Sequence, residues 1–108
     1  MPEPSLPELD PVIHAQARLR VTVALASLPQ EDRITFTRLQ KLLGMSPGNL
    51  STHLRKLEDA RYVEVTKTYD RRTPVSYVAL THRGRQAFDD YTTRLRALID
   101  HPMSEESP

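Results

Sequence analysis

A helix stop and a helix start stand almost back to back near the middle of this chain, and they constrain its fold more than any other feature. Gly44 is placed to end one helix in a left-handed turn. Ser46-Pro47 then supplies a hydroxyl cap and a proline at the first helical position of the next. With only the turn Leu43-Gly44-Met45-Ser46 between them, the two helices must meet at a steep angle. The second, over about 46–60, carries Leu50, Leu54 and Leu57 at spacings of four and three as a narrow apolar stripe. The first, capped by Thr35 or Thr37 and ending near Leu43, is expected to bury Leu39, Leu42 and Leu43 and to expose Arg38 and Lys41.

After Arg61 the period changes from helical to alternating. Tyr62 to Tyr69 reads as a strand with Val63 and Val65 on one side, Asp70 to Pro74 as a charged turn, and Val75 to Leu80 as the returning strand. Thr81 is placed to cap a last helix running to about Ile99, with Phe88, Tyr91, Leu95 and Leu98 in one row. Upstream, Asp10-Pro11 opens a helix expected to reach Leu28, and Ile34-Thr35-Phe36 is a short β-prone segment. The apolar residues of that first helix form two rows, one of Ile13, Ala17, Val21, Ala24 and Leu28, the other of Val12, Ala15, Leu19 and Val23. A helix apolar on two sides needs two surfaces to pack against, its own core and a candidate partner subunit. The expected organisation is a flexible arm over 1–9, one domain over 10–99 and a disordered acidic tail over 100–108.

Charge is unevenly spread. All 15 Lys and Arg lie between Pro11 and Ile99, with only eight of the 14 acids, so a formal charge of +1 conceals a central stretch of about +7. Such a stretch suits a polyanionic partner. The chain has no Cys, which excludes disulfides, thiolate metal sites and thiol switching. Its first ten residues carry Pro and acid instead of a basic-then-apolar leader, and no apolar run reaches membrane-spanning length; the expectation is a cytoplasmic protein with no membrane partner. His14, His53, His82 and His101 fall on different elements without a ligand pair at helical spacing, so no metal and no cofactor is expected. Three glycines make no phosphate cradle, and no nucleophile motif is present. The adjacent carboxylates of Asp89 and Asp90 point about 100° apart on a helix, so an enzyme is not expected.

Taken in order, a helix, a short strand, two helices across a tight turn, a hairpin and a last helix make a mainly α fold with a small β wing, the winged helix-turn-helix arrangement. Pro47, Gly48, Asn49, Ser51, Thr52, Arg55 and Lys56 all lie off the leucine stripe. They are small or hydrogen-bonding near the N-terminus and basic further along, which suits a helix whose N-terminal end enters a major groove. Asn49 is suited to adenine, Ser51 and Thr52 to several bases, and Arg55 to guanine or, by preference, a phosphate. His53, beside the stripe, is either half-buried or a phosphate contact. Lys67, Arg71 and Arg72 stand on the wing, over 67–75, where arginines can follow the backbone or enter a narrow minor groove. Arg38, on the preceding helix, joins the candidates. Each feature alone could be solvated surface; joined in this order they point to duplex DNA. The alternative is a winged-helix module that lays its basic surface on an acidic protein.

The stretch from Leu42 to Ala60, with Gly44-Met45-Ser46-Pro47-Gly48-Asn49 leading into Leu50, Leu54 and Leu57, resembles the helix-turn-helix of ArsR/MarR-like winged-helix regulators. Leu80-Thr81-His82-Arg83-Gly84-Arg85 resembles the strand-to-helix junction after their wing. The likeness covers roughly Asp10 to Ile99. It implies a homodimer held by the first and last helices, with two recognition helices in successive major grooves of a pseudo-palindromic double-stranded site. The apolar rows nominate Ile13, Ala17, Val21, Phe88, Tyr91, Leu95 and Leu98 for that interface; the alternative is that the two helices simply cover each other within one subunit. By matching positions, Ser46, Asn49, Ser51, Thr52 and Arg55 touch DNA from the helix, and Arg71 and Arg72 from the wing. Arg61 departs from the pattern, standing where the family usually has Gly, and bears on the turn ahead of the wing. The implied function is sequence-specific transcriptional regulation. Repression is expected over activation because the chain has no extra segment to recruit polymerase, and a small-molecule effector between the first and last helices is allowed for.

Overall fold

Three hydroxyls divide the chain into its helices. The side chains of Thr35, Ser46 and Thr81 accept backbone N–H bonds from Arg38, Asn49 and Gly84 at 3.1, 3.2 and 2.9 Å. The computed structural model describes residues 8–29 and 32–100, so the expected arm and tail lie almost wholly outside the described residues. The elements are α1 (Pro11–His14), α2 (Gln16–Ala26), β1 (Ile34–Thr35), α3 (Phe36–Leu43), α4 (Pro47–Asp59), β2 (Val63–Asp70), β3 (Thr73–Leu80) and α5 (His82–Ile99). The strands form an antiparallel sheet in the order β1-β3-β2. The result is the mainly helical, winged architecture anticipated from element order. Val21 and Leu25 of α2, Leu39 and Leu43 of α3, Leu50, Leu54 and Leu57 of α4, and Ile34, Val63 and Val78 of the sheet close one core.

The first helix differs from its expectation. It is broken at Ala15, which adopts φ −60°, ψ 128°, and ends at Ala26 instead of Leu28. Two side chains account for the break. Asp10 accepts from the N–H groups of Val12 and Ile13 at 2.8 and 3.4 Å and also from the Tyr62 hydroxyl. Arg18 donates its Nε–H to the Val12 carbonyl at 2.6 Å, taking the acceptor that Gln16 N–H would use in an unbroken helix. Burial, followed by the bond to Asp10, pushes the Tyr62 hydroxyl pKa up to about 12. The short α1 is thereby tied to the base of the hairpin, Ile13 is fully buried, and His14 Nδ1 meets the Tyr91 hydroxyl at 3.1 Å.

Leu42 also departs from expectation, being 65% exposed. On an eight-residue helix Phe36, Leu39 and Leu43 fall within about 60° of one another, whereas Leu42 lies about 60° beyond Leu39 on the other flank. The wing turn is tighter than the five residues expected. Tyr69 pairs with Pro74 and Asp70 with Thr73, leaving Arg71 and Arg72 as the whole loop. A two-residue loop closes on a hydrogen-bonded pair, so Pro74 falls on a non-bonded one, its nitrogen turned to an edge that β1 does not reach.

Arg61 takes φ 64° just after α4. Its N–H donates to Glu58 O at 2.8 Å and that of Tyr62 to Leu57 O at 2.9 Å, a Schellman closure built without glycine. Replacing Arg61 by Gly should therefore raise stability by about 1 kcal/mol. For a domain of this size the melting temperature would rise by roughly 4–8 °C; a fall would mean that the arginine side chain contributes more than its backbone strain costs.

Candidate nucleic-acid interface

Helix α4 is pinned on one side and bare on the other. Leu50, Leu54 and Leu57 are at most 3% exposed, while Ser46, Pro47, Gly48, Asn49, Ser51, Thr52, Arg55 and Lys56 are all exposed. The turn that aims the helix is held from several directions. Gly44 at φ 66° accepts the left-handed conformation, Gln40 Nε2 donates to Met45 O at 3.0 Å, and Arg20 Nη2 donates to Leu43 O at 2.7 Å. Ser46 Oγ accepts the cap bond and keeps its O–H to donate, whereas Thr52 donates to Gly48 O at 3.0 Å and keeps only acceptor capacity. The Asn49 side-chain amide enters no hydrogen bond among the described residues; only its backbone N–H meets Ser46 Oγ. Among the described residues, nothing beyond the helix's own backbone lies within 4 Å of where a Gly48 Cβ would stand, so packing there does not require a small residue.

Across from this face stands the hairpin. A groove of about 420 Å³ separates them, lined by Ser51, Leu54, Arg55 and Glu58 of α4, Val65 and Lys67 of β2, Ser76 of β3 and Phe36. At the tip, Arg71 and Arg72 take φ 50° and 72°, as a turn with positive φ at both central residues demands. Such turns favour Asn and Gly; two arginines there are strained and cationic at once. Among the described residues the one ion pair joins Arg94 to Asp90 on α5, and Arg38, Arg55, Lys56, Lys67, Arg71 and Arg72 enter none. Residues 18–99 match the family model of the winged helix DNA-binding domain.

The chain belongs to that family. Among solved structures, this winged helix is similar to a transcriptional regulator homologue from Pyrococcus horikoshii OT3, with a TM-score of 0.75 and 28% identity over 85% of this chain and 88% of that one. It is similar also to a MarR-family regulator from Silicibacter pomeroyi, at TM-score 0.62 and 24% identity over 90% of this chain and 62% of that one. An uncharacterized protein of Methanocaldococcus jannaschii is 29% identical over 74% of this chain and 84% of its own length. Fold and family are those of DNA-binding transcription regulators, not of enzymes. Among the described residues, no helix is long and apolar enough to cross a membrane.

Other candidate residues of the winged helix fall differently from their sequence roles. His53 is half-buried, with Nδ1 enclosed and unpartnered. Burial first, then the charges of Arg18 and Lys56, hold its pKa below the ordinary histidine value, which favours a neutral ring and not a phosphate clamp. Of the nominated interface residues, Ile13, Val21 and Tyr91 are at most 2% exposed within a single chain and have no area left to offer a partner. Ala17, Phe88, Leu95 and Leu98 are half-buried. Ile99, absent from the nominated row, is 72% exposed and joins Thr92, Leu95, Arg96 and Asp100 around a groove near the end of α5. Its spacing of four from Leu95 was the available signal.

Proposed function

We propose that this winged helix protein acts as a homodimeric transcriptional repressor in the cytoplasm, reading a pseudo-palindromic duplex site with α4 in the major groove and the β2–β3 wing on the neighbouring backbone or minor groove. The observation that carries the reading is the bare α4 face, small and hydrogen-bonding at its N-terminal end and flanked by cations on α3, α4 and the wing that enter no ion pair among the described residues. For the dimer, the support is α5. Beyond Tyr91 none of its residues is buried, and among the described residues nothing fully covers Leu95, Leu98 and Ile99 at the end of this 18-residue helix.

Selection of bound sequences from a random duplex pool tests the first half. Enrichment of an inverted repeat with half-sites about 10–10.5 base pairs apart is expected; no enrichment above random DNA would leave a basic protein-binding module as the reading. Sedimentation tests the second half, with a monomer at micromolar concentration, free and on DNA, as the contrary result. Within the site, Asn49→Ala should weaken specific binding about tenfold to a hundredfold and leave binding to random DNA unchanged, since its amide can pair bidentately with adenine. An unaltered specific-to-random ratio would remove Asn49 from base readout.

A further inference from the structure

The chain has four tyrosines, and three are accounted for by its own contacts. The Tyr62 hydroxyl is bonded to Asp10, the Tyr77 ring lies under the Arg33 guanidinium at 3.9 Å, and Tyr91 is buried beside His14. Tyr69 is different. It is 73% exposed, high on β2, and none of the hydrogen bonds or aromatic contacts among the described residues engages it.

Its orientation follows from strand alternation. Val63 is buried in the core, Val65 and Lys67 line the groove opposite α4, and Tyr69 is the next residue on that same face. Across the ladder it pairs with Pro74, as Lys67 pairs with Ser76. One face of the hairpin therefore runs outward from the core as Val65, Lys67 and Tyr69, past the reach of α4 and towards the arginine tip. A large aromatic held in water between Lys67 and two strained arginines that enter no ion pair among the described residues matches an anionic partner that also offers apolar surface. Duplex DNA has both along one strand, in alternating phosphates and deoxyribose faces. An acidic protein surface supplies the charge without that regular apolar repeat.

We propose that Tyr69 is a DNA-contacting residue, its ring against a deoxyribose and its hydroxyl at the adjoining phosphate of the strand that passes between α4 and the wing. The inference rests on the DNA-binding reading above and extends it to a residue that neither charge nor helix position would nominate. Since tyrosine is neutral, its contribution differs in kind from that of Arg71 and Arg72: it adds affinity without releasing a counterion.

Two measurements on the full chain test this, using duplex DNA selected from the random pool, or random duplex if none is enriched. First, tyrosine acetylation by N-acetylimidazole, mapped by mass spectrometry, should mark Tyr69 ahead of the other three in the free protein and be suppressed at Tyr69 by DNA. Second, Tyr69→Thr, which keeps a strand-forming residue, should lower affinity about tenfold with the slope of log affinity against log salt unchanged. Its melting temperature should stay that of the wild type, and Tyr69→Phe should fall between the two in affinity. Wild-type protein that binds DNA while Tyr69 stays equally reactive, or a Thr variant that binds as tightly as wild type, overturns the contact and leaves the DNA-binding reading standing. So does an affinity loss that only tracks a lowered melting temperature with Tyr69 unprotected, which assigns the ring to packing on Pro74. A wild-type chain that binds no duplex DNA overturns both.

Discussion

Gly84→Ala is expected to destabilise the domain by about 3 kcal/mol, at or above the upper end of ordinary overpacking. The cause is local. A Cβ on Gly84 would overlap the Tyr62 carbonyl oxygen and approach the Tyr62 carbonyl carbon and Leu80 Cδ1 to 2.8 and 2.9 Å. Neither backbone partner is free to move. The same Tyr62 oxygen accepts the Thr81 N–H at 3.0 Å, and Thr81 in turn donates its hydroxyl to Arg61 O at 2.6 Å and caps α5. Helix α5 must therefore lift off the base of the hairpin, taking Tyr91 and its contact with His14 with it. In a domain whose whole stability is of the order of 5–15 kcal/mol, the variant should melt roughly 15 °C lower and express poorly. Thermal unfolding followed by circular dichroism checks this; a melting temperature within a few degrees of wild type would mean that α5 is not seated against Tyr62.

Leu50→Ala should cost between about 2 and 5 kcal/mol, because the side chain is fully buried at the first turns of α4 and leaves a cavity that the surrounding leucines cannot close. Leu42→Ala, one helix earlier and equally a leucine in a helix-turn-helix, should cost under about 0.5 kcal/mol because the side chain is already in water. The contrast is the informative part. Chemical denaturation of the two variants side by side separates them, and equal losses would place Leu42 in a buried contact, such as a subunit interface. Leu50 also lies next to Asn49, so the deletion should loosen the exposed turn and lower specific DNA affinity beyond what the unfolded fraction explains.

What was legible in the sequence was what neighbouring residues decide among themselves. Thr35, Ser46 and Thr81 announce helix starts because a hydroxyl meets an N–H three residues on, whatever the tertiary structure. The stripe of Leu50, Leu54 and Leu57 fixes which side of α4 is inside, and by subtraction which side is bare. Contacts between distant segments were not legible. The break at Ala15 follows from Asp10 bonding Tyr62, 52 residues away, and from Arg18 turning back on Val12. That bend sends Ile13 into the interior and brings His14 to Tyr91, so two residues that periodicity assigns to a partner's surface serve the chain's own packing. The tip was missed for another reason: arginine carries no signal for positive φ, and Pro74 reads as a turn residue although its register lets it sit in β3. Ser76 and Tyr69 escaped because nothing in a strand pattern says which of its residues share the face turned towards α4 until the register with β3 is known.

The central claim is that the exposed side of α4 and the arginine tip hold the same duplex. The measurement that tests it most directly is the salt dependence of duplex affinity for the wild type and for a chain carrying Arg71→Asn with Arg72→Gly. Asn-Gly suits a turn with positive φ at both positions, so the hairpin should be no less stable than in the wild type. The account predicts steeply salt-dependent binding by the wild type and a slope smaller by about 1.8 in the variant, roughly 0.9 for each phosphate that an arginine no longer neutralises. Identical slopes for two equally folded proteins would take the wing off the DNA, and salt-independent or absent binding by the wild type would contradict the account as a whole.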